Sequence, residues 1–531
     1  MSPPTWLESV TLYLTTEMRT IRPRRMLMIG LVAVSVIMFY RYLIWQLEFS
    51  SVLPLISSSQ RFSFSRLKQK ILNGRYVNDA HCLSSRQPEN VTTSKKRRSI
   101  SPWNINKLIA DSGLRLQEAY VSNTQSLFSP EAIMISELPH FNARIPAVVY
   151  HKNTFLAFCE ARFEGMQDYG EMMIAMRRGH LTMDGDVRWE NIQLIAGVRT
   201  FRTMNPSPVV DTVNDYIVLV FAGFPSSMSF HDMMSFPSFP LSKLYVMMSY
   251  DLGQTWTEPN DISGQTILNI KPNPVLLVPG PGHSIQMKCG RIIVPINYFT
   301  HDEHSVPLEN MCANCTNLNR IIYSDNGGID WSVGDTSKFT RDGTGVPIYL
   351  NEVQAVEVDD NAICLNTRTL KAKHPRAITV SLDGGKTLSR SYLAKELIEP
   401  GYKKDGKPVP GAGCEASVIG FRAPSDPSRM QFNKRWVLFS NPADGAFRRH
   451  LSIRLSIDGC RSWSLPWRIY REKAAYSDLA YFEGFVNNKR QHMIAILFEG
   501  GVERVQEGLR FKMFNLEAVL SGIKSEYDLN R

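Results

Sequence analysis

Cys312 and Cys315, in the run Cys-Ala-Asn-Cys, are the only close pair among the eight cysteines of this 531-residue chain. Two thiolates at that spacing make half of a zinc site, which needs a second pair or nearby histidines in a recognisable spacing. Neither is present, so no metal is expected, and the pair is read as a surface-loop disulfide or free thiols. Two further residues invite modification: Asn90-Val-Thr92 and Asn314-Cys-Thr316 are acceptor sequons for N-linked glycans. Lys95-Lys96-Arg97-Arg98 is read as a solvated linker charge run, with cleavage by a secretory-pathway protease as the alternative. Nineteen tyrosines offer phenols as nucleophiles, but spacing alone singles none of them out.

The positions of charge and apolar residues say where such chemistry would take place. Residues 1–100 carry 15 Lys/Arg and 5 Asp/Glu, whereas residues 101–531 carry 45 of each sign. The net charge of +10 therefore sits entirely at the N-terminus, and the body has no global positive field for nucleic acid. Met26–Tyr40 is an uncharged apolar run that Tyr42–Leu47 extends past Arg41. As a helix, residues 26–47 reach about 33 Å, enough to cross a hydrocarbon core. A long leader precedes the run and no small-residue cleavage site follows it, so it reads as an uncleaved anchor rather than a signal peptide. Arg19, Arg22, Arg24 and Arg25 keep residues 1–25 cytoplasmic under the positive-inside rule. The expectation is a type II, single-pass membrane protein whose remaining chain is lumenal or extracellular. Residues 48–130 then read as a Ser-rich, basic stem.

From residue 131 to about 520 the chain is a succession of short apolar runs, among them IPAVVY, YIVLVF, GRIIVPI, RWVLFS and MIAILF, separated by Gly, Pro, Asn and Asp. No long amphipathic helical stretch competes with them, so the body is expected to be all-β. A repeat refines this. Ser249-x-Asp251-x-Gly253-x-x-Trp256 recurs as Ser324-x-Asn326-x-Gly328-x-x-Trp331. Degraded copies begin at Ser381, which lacks the Trp, and at Ser456, where Cys460 replaces the Gly. The logic is that of a tight hairpin: Ser and Asp bond the turn backbone, Gly takes positive φ, and Trp packs beneath. Spacings of 57 and 75 residues suit one four-stranded unit per copy, hence a six-bladed β-propeller with a C-terminal tail over 521–531.

These repeats resemble the Asp boxes of the sialidase (exo-α-neuraminidase) superfamily, and the resemblance is nearest to the animal sialidases. Further motifs match in order: Arg144-Ile-Pro146, Phe155–Arg162, Arg202-Thr-Met-Asn-Pro206, Gly280–His283, Asn366-Thr-Arg368, Phe439–Pro442 and Tyr476-Ser-Asp-Leu479. The resemblance spans about 380 residues and excludes residues 1–130. It implies three arginines that grip the substrate carboxylate, at Arg144, Arg368 and Arg448, with Arg449 as the rival for the last place. Guanidinium forks suit a carboxylate because they bind it through two parallel hydrogen bonds.

The same resemblance places a nucleophile at Tyr476, its base at Glu352 and the acid/base at Asp168, with Glu164 as the fallback. A neutral phenol avoids the repulsion that an attacking carboxylate would meet at a carbon already bearing one, and it needs a base because its pKa is near 10. Arg162 would flank the substrate carboxylate or O4 hydroxyl, and Glu160 would orient the carboxylate-binding arginine triad, with a structural ion pair as the alternative. Met204 and Asn205 would line the N-acetyl pocket. The sequence departs from the pattern at Ala143, where an aromatic residue is usual, and around Tyr298. It departs again at Glu415, where a glutamine is usual. The implied activity is exo-α-sialidase hydrolysis of sialylated glycoproteins, oligosaccharides or gangliosides, with no cofactor. The alternatives are a non-catalytic sialic-acid-binding propeller and a trans-sialidase.

Overall fold

The computed structural model describes residues 61–62, 82–83 and 105–530, apart from 235–240, 272, 302–314, 339, 359–360, 371–373, 402–412, 425–434 and 487–488. The apolar run at 26–47, the charge run at 95–98, the sequon residues Asn90 and Asn314, and Cys312 lie outside the described residues. Among those that are described, no helix is long and apolar enough to cross a membrane.

The described chain is all-β, and most of it lies in five large sheets. The first holds β2 (Asn142–His151), β3 (Thr154–Arg162), β4 (Met172–Leu181) and β5 (Val187–Ala196) as a simple meander; β1 (Gln125–Phe128) belongs elsewhere. The second meander is β6 (Phe201–Asp211), β7 (Tyr216–Pro225), β8 (Lys243–Ser249) and β9 (Asn260–Asp261). In the third, β10 (Pro274–Pro279) and β11 (Ile285–Gln286) share one side of β12 (Ile292–His301), followed by β13 (Cys315–Ser324) and β14 (Ser332–Val333). The fourth comprises β15 (Thr340–Arg341), β16 (Pro347–Val358), β17 (Ala362–Leu370), β18 (Ala377–Ser381) and β19 (Tyr392–Leu393).

The fifth sheet joins two units through one strand. It runs through β20 (Ser417–Arg422), β21 (Arg435–Pro442), β22 (Arg449–Ser456), the 20-residue β23 (Trp467–Val486), β24 (Lys489–Gly501) and β25 (Leu509–Asn515), and ends on β1. The first residues of β23 pair with β22, whereas Ala474–Val486 pair with β24. The innermost strands touch in a closed circle: β2 meets β6, β6 meets β10 and β11, β11 meets β16, β16 meets β20, β20 meets β23, and β23 returns to β2.

Sheets stacked in this way are buried on both faces, so their strands read as continuous apolar runs instead of alternating ones. Every residue of β3 is buried, and so are nine of the ten in β7. Val218, Val220, Leu244 and Val246 of the second sheet pack against Val275, Leu277, Ile292 and Ile296 of the third.

All four repeat turns adopt one geometry. The Ser hydroxyl bonds its Asp or Asn and accepts the backbone N–H four residues on, as in Ser249 to Asp251 (2.9 Å) and Gly253 to Ser249 (2.7 Å). The copies at Ser324, Ser381 and Ser456 repeat the pattern. Cys460 takes the glycine position at φ 66°.

The folded body is longer than the sequence implied at both ends. Helix Ile105–Ser112 packs into the core formed by β22, β24 and the C-terminal helix, and β1 pairs with β25. Residues 105–130 are therefore part of the fold and not stem. The expected tail is helix Leu516–Leu529, capped by Asn515 and burying Val519, Leu520 and Ile523. The one described disulfide joins Cys82 to Cys289, 207 residues apart, while Cys159, Cys364 and Cys414 are buried free thiols; of the Cys312–Cys315 pair, Cys312 lies outside the described residues.

Asp478 holds the circle together. Fully buried, it accepts from Val148 N (2.8 Å), His283 N (2.9 Å), Gln354 Nε2 (2.9 Å) and Ser417 Oγ (2.9 Å), and bonds His283 Nδ1 (2.7 Å). Those partners come from four different inner segments. Removing one member of a buried charged network strands the others without solvent. Asp478→Ala is expected to cost about 4 kcal/mol in urea unfolding. A loss under about 1 kcal/mol would show that this carboxylate does not clamp the strands.

Candidate active site

Four of the inner strands carry an irregularity in their pairing at the level where the polar residues converge. The register shifts lie between Arg144 and Ala147, Met204 and Ser207, Leu350 and Val353, and Ala474 and Ser477. Bulges of this kind turn a side chain out of the alternating pattern and aim it along the sheet edge. They present Arg144, Asn205, Glu352 and Tyr476 from four strands. The backbone is correspondingly unusual: Ile145 has φ 59° and Asn205 has φ 53°. Positive φ at a β-branched residue is disfavoured and persists only where its surroundings over-determine it. At Ile145 the fixing group is Glu499, whose Oε1 accepts Ile145 N at 3.1 Å.

Glu499 also grips the Arg144 guanidinium with both oxygens, at 3.0 Å from Nε and 3.2 Å from Nη2. The Arg144 guanidinium carbon then lies 5.2 Å from the centroid of the Tyr476 ring. Arg448 approaches the same ring, 5.7 Å from its centroid, and is steadied by Gly413 O at 3.0 Å. Arg368 Nη1 lies 3.2 Å from the phenol oxygen and 2.6 Å from Glu352 Oε2. The phenol hydroxyl itself donates to Glu352 Oε1. Three guanidinium groups thus surround one buried phenol. Burial, then Glu352, push that phenol well above its ordinary value of 10.0, against the pull of Arg368, Arg448 and Arg144. It is a neutral hydroxyl hydrogen-bonded to Glu352 Oε1.

Arg449, the rival for the third arginine, is exposed, bonds Asp444 at 2.6 Å and stacks on Phe447. Arg448 is the member that faces the phenol.

Across the site, Asp168 stands on the loop after β3, half exposed, with Oδ1 2.7 Å from Arg162 Nη1 and 4.0 Å from Arg144 Nη1. Glu164 folds back onto its own loop, accepting Glu171 N at 3.2 Å, and does not enter this group. Arg162 is fixed by Glu160 Oε2 at 2.6 and 2.9 Å. Glu160 Oε1 accepts Asn205 N at 2.8 Å, so the acid holds Arg162 and the bulge of β6, not one of the three phenol-facing arginines. Asn205 Nδ2 bonds Pro279 O, and Met204 is buried beside it. Among the described residues no cluster of three or more His, Cys, Asp or Glu has metal-ligand geometry. A separate cavity of about 290 Å3, lined in part by Val148, Val209, Val356 and Leu479, opens farther along the same strands.

Two carboxylates here were not assigned roles from the sequence. Glu499 ends the apolar run of β24, and an acid inside such a run is the only local hint of it. Glu415 was noticed only as a departure from glutamine. It is buried behind Tyr476, where Oε2 accepts Ser477 N at 2.9 Å and Oε1 has no hydrogen-bond partner. Burial, then Asp478 and Glu352, push its carboxyl well above the ordinary 4.5. A carboxyl whose pKa rises on folding costs stability once the unfolded chain would ionise it. That cost is absent below about pH 4.5, grows as pH rises towards the folded value and is then constant. Glu415→Gln, which mimics the neutral acid, is expected to raise the melting midpoint at pH 8 by about 2 °C and leave it unchanged at pH 4. Equal midpoints of the two proteins at both pH values would show that Glu415 carries no such cost.

Residues 153–487 match the family described as BNR repeat-like domain. Sialidase-3 of Bos taurus is 27% identical over 417 residues, covering 72% of this chain and 91% of that protein. Sialidase-4 of Mus musculus is 25% identical over 473 residues, covering 73% of this chain and 92% of that protein. Among solved structures, the Hadza microbial sialidase Hz136 aligns with a TM-score of 0.53 at 20% identity, over 71% of this chain and 66% of that one.

Proposed function

From the premise that the chain belongs to the BNR repeat-like domain family and is a glycoside hydrolase related to the animal sialidases, we propose that it is a retaining exo-α-sialidase with Tyr476 as its nucleophile. The observation that carries this reading is the convergence of Arg144, Arg368 and Arg448 on the Tyr476 phenol, itself hydrogen-bonded to Glu352. The closed circle of inner strands supports a six-bladed β-propeller, with β23 serving two blades and β1 completing the last. Such rings carry their sites where the inner strands meet.

In this mechanism the three guanidiniums bind the carboxylate on the anomeric carbon of a terminal sialic acid. The Tyr476 oxygen attacks that carbon as its proton passes to Glu352, and Asp168 gives its proton to the departing oxygen. A tyrosyl–sugar bond forms and the glycosidic bond breaks. Water then attacks from the vacated side and yields its proton to Asp168. The tyrosyl bond breaks, and Glu352 returns the proton to the phenol. Two displacements restore the original anomeric configuration. None of these steps calls on a cofactor.

Substrates are sialylated glycoproteins, oligosaccharides or glycolipids. The apolar run at 26–47 and the basic leader before it support a type II anchor with a lumenal or extracellular catalytic domain. The Cys82–Cys289 disulfide agrees with an oxidising compartment, and glycans at Asn90 and Asn314 would fit the same side.

The test is hydrolysis of an aryl α-sialoside by the full chain, with the first-formed sugar anomer followed by proton NMR. The α-anomer is expected to appear first and the β-anomer only later, by mutarotation. Initial β-product would overturn the tyrosyl intermediate. A folded protein inactive from acid to neutral pH would instead be a sialic-acid-binding module.

A further inference from the structure

Arg202 is fully buried at the start of β6, yet among the described residues it forms no ion pair with a carboxylate. Its Nη1 donates to two backbone carbonyls, Pro225 O at 2.5 Å and Met228 O at 2.6 Å. Its guanidinium carbon lies 5.4 Å from the Phe224 ring and 5.3 Å from the Phe230 ring, and Nη2 reaches Met233 Sδ at 3.9 Å. Its Nε has no hydrogen-bond partner. A buried cation without a carboxylate is costly, and stacked rings and carbonyls offset only part of that. The turn it holds also reaches the Asp168 loop: Ser226 O accepts Gly170 N at 3.3 Å.

The loop from 163 to 171 is thus tied at two points by two buried arginines. Arg162 Nη1 takes its first half through Met166 O (2.6 Å) and Gln167 O (3.1 Å). The far half hangs on Gly170, two residues past Asp168, and through Ser226 on the turn that Arg202 fixes. Burial lowers the Arg202 guanidinium to about 10, and Asp168 followed by Glu160 are the carboxylates that sustain its charge.

We infer that Arg202 is a positioning residue for proton transfer: by fixing the 225–228 turn it anchors the far half of the loop and sets where Asp168 meets the leaving oxygen. This rests on the acid/base reading of Asp168. A displaced acid hurts only those substrates whose leaving group needs a proton. An aryl leaving group departs as a stabilised phenolate, whereas a sugar alkoxide does not.

The experiment compares kcat/KM of the full chain on a nitrophenyl α-sialoside and on a sialyl-galactoside disaccharide. Arg202→Met is expected to lose about 30-fold on the disaccharide and less than about 3-fold on the aryl substrate. Arg202→Lys, which keeps the charge and one carbonyl bond, is expected to recover most of that loss. Phe230→Ala removes one wall of the cradle from a half-buried position and gives a second, milder variant should Arg202→Met not fold. It is expected to lose about 5-fold on the disaccharide alone. Equal losses on the two substrates, or none on either, overturn the inference. Asp168→Ala separates the two levels of argument. If it discriminates between the substrates and the Arg202 and Phe230 variants do not, only the positioning role falls. If Asp168→Ala loses the same factor on both, the acid/base reading falls and the inference with it.

Discussion

Tyr476→Phe is expected to lower kcat by about 10,000-fold while leaving KM within about 3-fold of the parent. The ring stays in the same pocket, touching Cys414, Ala475 and Ile145, so folding and the approach of Arg144 and Arg448 are preserved. What disappears is the oxygen that bonds Glu352 and lies 3.2 Å from Arg368. In the proposed mechanism substrate binding draws on the guanidiniums and survives. The covalent step draws on the phenol and does not, and loss confined to kcat is the signature of a group that acts only in the transition state. Steady-state kinetics on an aryl sialoside measure it. A fall of less than about 10-fold in kcat would mean that another atom attacks, and Glu352 would become the first suspect.

That Tyr476 stands out at all shows what a sequence can and cannot reveal here. The Ser-x-Asp turns were legible because their hydrogen bonds close within four residues, so their chemistry lies in one short string. The site arginines were legible only through motif likeness, because they come from distant parts of the chain: Arg144 from β2, Arg368 from β17 and Arg448 from the loop before β22. Nothing local distinguishes Arg448 from Arg449. The distinction appears when Asp444, five residues before Arg449, takes the latter and leaves the former facing the phenol. Glu499 was invisible for a related reason: its partner Arg144 is 355 residues away. Residues 105–130 looked like stem because strand Gln125–Phe128 is short and finds its partner only at Leu509–Asn515. The C-terminal helix did leave a local signal, Asn515 capping Ala518 ahead of an apolar face, and this was legible in principle. The disulfide left none, since Cys82 and Cys289 are 207 residues apart.

The second large effect is expected at Arg368, where charge and shape can be separated. Arg368→Lys keeps the positive charge but replaces a planar fork with a single ammonium. Arg368 Nη1 holds Glu352 Oε2 at 2.6 Å and approaches the phenol at 3.2 Å, and in the proposed mechanism the same guanidinium also binds the substrate carboxylate. A lysine can meet Glu352 or the substrate carboxylate, but its one nitrogen cannot span both. If it turns to the substrate, Glu352 loses its fixed orientation towards the phenol. If it stays with Glu352, carboxylate binding weakens. Either way ground-state binding and proton acceptance are uncoupled, so KM should rise and kcat fall together. About a 1,000-fold loss in kcat/KM is expected, shared between the two constants. Arg449→Lys supplies the control, because Arg449 is exposed and committed to Asp444, and kcat/KM should stay within about 2-fold. A tolerant Arg368→Lys would mean that charge alone holds the substrate. A damaging Arg449→Lys would move the third carboxylate contact one residue along the chain.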